Sequence, residues 1–268
     1  MLFRDERWPD GTPCWVDLMA PDQRKAVDFY SALLGWEVAV GGEETGHYGM
    51  AMLGGRPVAG IGEIPPGQAG MPTVWTTYLA VSDVDKTAAA VTGAGGQILM
   101  APMDVMAEGR MAVAADPTGA VFGLWQPGRH FGTQVLEAPG TQAWNEIMTR
   151  DYEAAKTFYG EVFGYSFGDI SAEGFRYATL DIDGRPAGGI GLLPADTPPE
   201  VPANWTTYFA VADADASAAK VTELGGTIVA PPADSAYGRV AAVVDDQGAS
   251  FRLIAPNERS GNPEGWDA

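Results

Sequence analysis

The chain has 268 residues, with 16 Lys+Arg against 35 Asp+Glu and a formal net charge of −19. A surface this acidic repels phosphate backbones and anionic headgroups, so neither nucleic acid nor a membrane is expected as a partner. The 46% hydrophobic and 10% aromatic content excludes disorder as the main state, and the lone Cys14 can close no internal disulfide and build no thiolate zinc site. In chain order, residues 15–19 alternate as a strand does. Asp22 is then placed to cap a helix whose apolar face is Ala26, Phe29, Tyr30, Leu33 and Leu34, with Gly35 as its stop. Strands are predicted over 36–40, 48–53 and 58–64, and again over 74–81. A helix over 83–92 follows, halted by Gly93, Gly95 and Gly96, and then strands over 97–100, 110–115 and 120–125. Strand–helix–strand–strand–strand is thus written twice within the first half.

The second half repeats the first. Trp15 returns as Trp144, Phe29-Tyr30 as Phe158-Tyr159 and Gly60-Ile61-Gly62 as Gly189-Ile190-Gly191, each 129 positions on. Trp75-Thr76-Thr77-Tyr78 returns as Trp205-Thr206-Thr207-Tyr208 at a shift of 130, and Gly109-Arg110 as Gly238-Arg239 at 129. Such a duplication predicts two similar domains, residues 1–130 and 131–268, joined through the Pro- and Gly-rich stretch between Gln126 and Gly140.

Several motifs together carry a resemblance. They are Asp22…Phe29-Tyr30…Leu34-Gly35-Trp36, Val81-Ser82-Asp83-Val84-Asp85, Gly95-Gly96 and Asp116-Pro117-Thr118-Gly119-Ala120, with their second-repeat counterparts. The chain resembles the vicinal oxygen chelate superfamily, the glyoxalase/bleomycin-resistance/extradiol-dioxygenase fold, in its tandem two-domain actinobacterial form. The resemblance implies an α+β protein with four βαβββ modules, paired into two glyoxalase-like domains whose curved mixed sheets each surround a cavity. In metal-using members, His, Gln or Glu on the first and last strands hold a divalent ion that polarises the substrate. The matching positions here are Trp15, Thr76, Gly123 and the neighbourhood of Glu63, and in the second repeat Trp144, Thr206, Arg252 and Leu192. These are poor ligand sets. The two histidines, His47 in a loop and His130 in the linker, are expected at the surface, and no metal or other cofactor is expected.

Loss of the ligands is what the binding branch of the superfamily shows, and it implies a metal-independent protein sequestering a hydrophobic or aromatic metabolite or natural product. Strand alternation puts Trp15 with Asp17 and Trp144 with Glu146 on one face, and likewise Thr76 with Tyr78 and Thr206 with Tyr208. The expected ligand-binding residues are therefore Trp15, Trp144, Thr76, Thr206, Trp75 and Trp205, with Arg110 and Arg239 as cationic partners. Asp17 and Glu146 must be solvated by a cavity or paired by an arginine, because an unpaired carboxylate on an apolar face is costly. The alternative class is an enzyme of secondary metabolism, a metal-free oxygenase ("hydroxylase") or an isomerase/lyase, with Asp17 or Glu146 as base and Tyr78 or Tyr208 as proton donor. A third is a structural or antigenic protein whose cavities are filled by its own side chains. Arg252, in place of a cavity-lining glycine, suggests a second cavity that is partly filled or tuned to an anion. The N-terminus lacks the apolar core of a signal peptide, so a cytoplasmic protein is expected. The tandem chain should act as a monomer, its own internal pseudo-dimer.

Overall fold

Both repeats fold with the predicted alternation in a computed structural model that describes residues 1–68 and 70–258. A short β1 (Leu2–Phe3) precedes β2 (Pro13–Ala20), α1 (Gln23–Leu34), β3 (Glu37–Val40), β4 (Gly49–Leu53) and β5 (Arg56–Glu63). The second module is β6 (Trp75–Ala80), α2 (Val84–Gly93), β7 (Gln97–Val105), β8 (Gly109–Ala115) and β9 (Val121–Pro127). β10 (Val135–Leu136) pairs with β1 and leads into the second repeat. That repeat consists of β11 (Gln142–Thr149), α3 (Tyr152–Phe163), β12 (Ser166–Asp169), β13 (Tyr177–Ile182) and β14 (Arg185–Leu192), then β15 (Asn204–Ala210), α4 (Ala214–Glu223), β16 (Thr227–Asp234), β17 (Arg239–Val244) and β18 (Ser250–Ala255).

Local chemistry sets the helix ends. Asp22, Asp83, Asp151 and Asp213 accept hydrogen bonds from the backbone N–H groups of Lys25, Lys86, Ala154 and Ala216, which satisfies donors with no partner inside the helix. Gly35 and Gly164 end α1 and α3 at φ of 74° and 72°, a left-handed conformation in which a side chain would be strained. Each repeat forms one eight-stranded mixed sheet, ordered β3-β4-β5-β2-β6-β9-β8-β7 and β12-β13-β14-β11-β15-β18-β17-β16. Within a sheet the two modules meet through their first strands, β2 antiparallel to β6 and β11 antiparallel to β15. Each first strand also lies parallel to the last strand of its own module. β7 runs to Val105, further than its predicted end, with register shifts at Met100 and Met103. Among the described residues, no helix is long and apolar enough to cross a membrane.

The two repeats share their cores. Phe29, Tyr30 and Leu34 of α1, with Trp36 and Trp75, pack against Phe209, Val221 and Phe251 of the second repeat. In the pseudo-symmetric core, Val84, Val91 and Phe122 pack against Phe158, Tyr159 and Tyr165. Polar groups pin these contacts. Trp75 donates to the Tyr30 hydroxyl at 2.9 Å, and Tyr30 donates to Asp245 Oδ2 across the interface at 2.9 Å. The Trp205 indole likewise donates to Tyr159 at 2.9 Å, and Tyr159 faces Asp116 of the first repeat. Trp36 donates to the Gly140 carbonyl at 2.7 Å, and its counterpart Tyr165 donates to the carbonyl of Gly11. Near the centre, Asn145 Oδ1 accepts from both Thr77 at 3.1 Å and Thr207 at 3.0 Å. Each sheet therefore turns its helix-bearing face to the other repeat and leaves the opposite, concave face for a site.

Tyr30→Phe keeps the ring but strips Trp75 of its acceptor and Asp245 Oδ2 of its donor inside a buried contact. Urea unfolding is expected to show a loss of about 1–3 kcal/mol, against no measurable loss for Tyr237→Phe, whose ring is 49% exposed.

Candidate functional site

On the concave face of the first repeat, β2 and β6 bring Trp15 opposite Tyr78 and Asp17 opposite Thr76. Asp17 Oδ2 accepts hydrogen bonds from Tyr78 and Tyr48, both at 3.2 Å, and the Trp15 indole donates to Tyr48 at 3.1 Å. Two glycines make this possible. A Cβ on Gly60 would lie 1.7 Å from the Tyr48 hydroxyl, and one on Gly123 would lie 2.1 Å from Tyr78 Cδ1. The tyrosines thus lie across the last strands of the two modules, where a side chain from those strands would otherwise project. Burial pushes the Asp17 carboxyl up to about 7, only partly offset by the two tyrosine donors. Both tyrosines are raised well above the usual phenol range, first by burial and then by the charge of Asp17. Asp17 Oδ1 is buried with no hydrogen-bond partner among the described residues, so it is the oxygen left to carry the proton.

The second repeat rebuilds the same constellation with a longer acid. Glu146 Oε1 accepts from Tyr208 at 2.7 Å and Oε2 from Tyr177 at 2.8 Å, and the Trp144 indole donates to Tyr177 at 2.8 Å. Tyr177 lies across Gly189 as Tyr48 lies across Gly60. Arg252 replaces Gly123, paired in register with Tyr208. Burial raises the Glu146 carboxyl, while the two tyrosine donors and the Arg252 charge oppose that shift.

The structure brings together Trp15, Asp17, Thr76 and Tyr78, and in the second repeat Trp144, Glu146, Thr206 and Tyr208. Other expected site residues lie elsewhere. Trp75 and Trp205 point to the opposite face, because each is one residue out of phase with its Thr76 or Thr206 neighbour, and both donate to core tyrosines. Arg110 is held by Asp85 and Asp104 at 2.9 Å each, and Arg239 by Asp215 and Asp234. These arginines tie a helix start to a hairpin at the surface, and tyrosines rather than arginines partner the buried acids. Glu63 is exposed at the end of β5, and the inward positions of that strand are glycines.

His130, expected at the surface, packs edge-on to Trp15 with ring centroids 4.4 Å apart and also contacts Trp125 at 5.6 Å. Burial pushes its imidazole down to about 4, so it is neutral at ordinary pH. Its Nε2 has no partner among the described residues. Trp15, Tyr78 and Trp125 consequently bury one another, whereas Trp144 and Tyr208 are only half-buried. Sequence reading missed Tyr48, Tyr177 and His130. The first two carried a signal, since Tyr48/Gly60 and Tyr177/Gly189 recur at the same 129-residue shift. A separate surface groove of about 320 Å³ between the ends of α1 and α4, lined by Leu33, Leu34 and Lys220 among others, contains none of these groups.

The family model of the Glyoxalase/Bleomycin resistance protein/Dioxygenase superfamily matches residues 14–124 and 132–253. The chain belongs to this superfamily. The putative glyoxylase CFP32 of Mycobacterium tuberculosis is 43% identical over 254 residues, covering 92% of this chain and 95% of that protein. The anthracycline biosynthesis protein DnrV of Streptomyces peucetius is 36% identical over 268 residues, covering 94% and 96%. Among solved structures, the 2,3-dioxygenase LapB of Pseudomonas sp. KL28 superposes with a TM-score of 0.65 at 13% identity, covering 92% and 93% of the two chains. The Mn(II)-bound glyoxalase of Novosphingobium aromaticivorans gives 0.64 at 16%, covering 92% and 83%. Superfamily members with a metal need several anionic or imidazole donors on one centre. Here one carboxyl and neutral tyrosine hydroxyls converge on each face, and no group of three or more His, Cys, Asp or Glu suited to a metal occurs among the described residues. This donor set does not fit a divalent ion.

The Asp17 carboxyl has a definite pH signature. The folded protein keeps its proton up to about pH 7, whereas the unfolded chain loses it near 4. The native state therefore binds more protons in this window, and the stability Asp17 contributes is full below pH 4, falls as pH rises to 7 and stays lost above it. His130 acts in the opposite sense, its contribution being lost as pH falls from about 6.5 towards 4. Asp17→Asn is expected to gain stability relative to the parent at pH 8 compared with pH 4, by on the order of a few kcal/mol. Urea titrations of both proteins across that range check this, and parallel curves would refute it.

Proposed function

We propose that the chain is a metal-independent binding protein that takes a hydrophobic or aromatic metabolite or natural product on its concave faces. The observation that carries this reading is the crossing of Gly60 and Gly189 by Tyr48 and Tyr177. In both repeats, aromatic rings and a buried, tyrosine-bonded acid whose pKa burial raises occupy the region between first and last strands. An aromatic floor with a few fixed polar groups suits a flat, largely apolar ligand. The relatives named as anthracycline biosynthesis proteins support a polycyclic aromatic one. Each face is complete within one chain, so the working unit is the monomer, which sedimentation tests.

A second reading is favoured by one specific observation, the raised Asp17 carboxyl with its unpartnered Oδ1. A group that titrates near neutrality inside a site is suited to proton transfer. In a metal-free enzyme, Asp17 would take a substrate proton and Tyr78 would donate one.

Equilibrium dialysis of tag-free protein with a neutral anthracycline aglycone, before and after exhaustive chelation, tests the leading reading. Binding should survive chelation and weaken at least tenfold in Trp15→Ala, with Asp17→Asn close to the parent. About one equivalent of Fe, Mn, Ni or Zn per face, with binding lost on its removal, would overturn it. Turnover that persists under chelation and collapses in Asp17→Asn would establish the enzyme instead.

A further inference from the structure

The two concave faces have diverged in polarity. Alternation along β4 and β13 places Met50 on the first face and Thr179 on the second. At the end of each sheet's central strands, Trp125 of the first repeat becomes Ile254. The decisive change is Gly123 to Arg252, at the position paired with Tyr78 or Tyr208.

Arg252 stands out by its burial, because other arginines without an ion pair to a described residue, such as Arg24, Arg150 and Arg185, are exposed. Arg110, Arg176 and Arg239 each reach a carboxylate within 4.0 Å, but Arg252 makes no ion pair with any described residue. It is half-buried and lies across the strands from Tyr208. Glu146 feels the Arg252 charge, which favours its ionised form, while its two oxygens each accept one tyrosine hydrogen bond, at 2.7 and 2.8 Å. A partly desolvated guanidinium without a carboxylate presents several N–H donors in a planar fork and attracts an anion. The surrounding chain is strongly acidic, at −19 overall, so this attraction is local to the face. Thr206 and Tyr208 beside it are also only half-buried.

We propose that the second concave face is an anion site: it takes an aromatic or hydrophobic carboxylic acid, with the carboxylate seated on Arg252 and the apolar body alongside Trp144. The first face, with Gly123 and Trp125 at the corresponding positions, takes neutral ligands. One chain therefore binds two chemically distinct molecules. This inference rests on the reading that the concave faces bind small molecules.

Titration calorimetry of the full chain with 2-naphthoate and with its uncharged analogue 2-naphthalenemethanol separates the two ideas. Naphthoate should bind with one equivalent and weaken as salt rises. Arg252→Gln should reduce its affinity at least tenfold, Arg252→Lys should retain part of it, and neither should alter binding of the alcohol. Trp15→Ala should abolish binding of the alcohol and spare naphthoate. The unchanged alcohol affinity of Arg252→Gln also serves as its folding control. If both probes bind and Arg252→Gln leaves naphthoate unaffected, the anion site is refuted while the general binding reading stands. If neither probe binds the parent protein, both fall.

Discussion

Each sheet of this protein has a broad apolar back that its own two helices do not cover alone, and the fold depends on how that surface is hidden. The solution is reciprocal: α1 shares a core with the second module of repeat two, and α3 with the second module of repeat one. Burial of this much aromatic surface is the dominant favourable term. Direction comes from the polar chain Trp75–Tyr30–Asp245 and its pseudo-symmetric partner, because a buried acid or indole N–H left unpaired is expensive. Gln247 adds a further lock, its side-chain amide gripping the backbone N–H and C=O of Asp22 at 2.8 and 3.0 Å. With the backs sealed, the concave faces are the surfaces left for chemistry.

Those faces are shaped by exchange between neighbouring strands. A glycine on the last strand leaves a hole, and a tyrosine from the strand beside it, or from the first strand of the module, lies across that hole to reach an acid. The acid is held by neutral donors rather than by a cation. Neutral donors compensate a buried charge less than an arginine would, so desolvation dominates and the Asp17 carboxyl titrates near neutrality. A carboxyl with ordinary acidity would serve as a fixed anion. This one changes charge within the range where small shifts of environment matter.

Much of this was legible in the residues themselves. The four aspartate caps, the glycine stops and the 129-residue shift are short-range signals, and they placed the modules, the first-strand tryptophans and the acids on the correct faces. The failures were of longer range. Trp75 and Trp205 share the motif of Thr76 and Thr206 but lie one residue out of phase, so strand alternation argued for the core and only the conspicuous motif argued for the pocket. Arg110 and Arg239 found acids that are distant in sequence but adjacent across a helix–hairpin contact. His130 lies in a stretch of turn residues, and nothing nearby in sequence indicated that the linker folds back onto Trp15. The tyrosine partners required knowing which strand neighbours which glycine, which is a property of sheet order.

The shared backs also bear on how a duplicated chain can change. Within this one sequence, the sealed surface has kept its character in both copies: Tyr30 matches Tyr159, Trp75 matches Trp205 and Phe122 matches Phe251. A residue there answers to the other repeat as well as to its own, so a change in either copy disturbs a core common to both. The concave positions carry no such obligation, and there Met50 is matched by Thr179 and Gly123 by Arg252. Fusing two copies back to back thus divides the molecule into a frozen seam and two independently editable surfaces, a layout in which one surface can acquire a new specificity while the other retains the old.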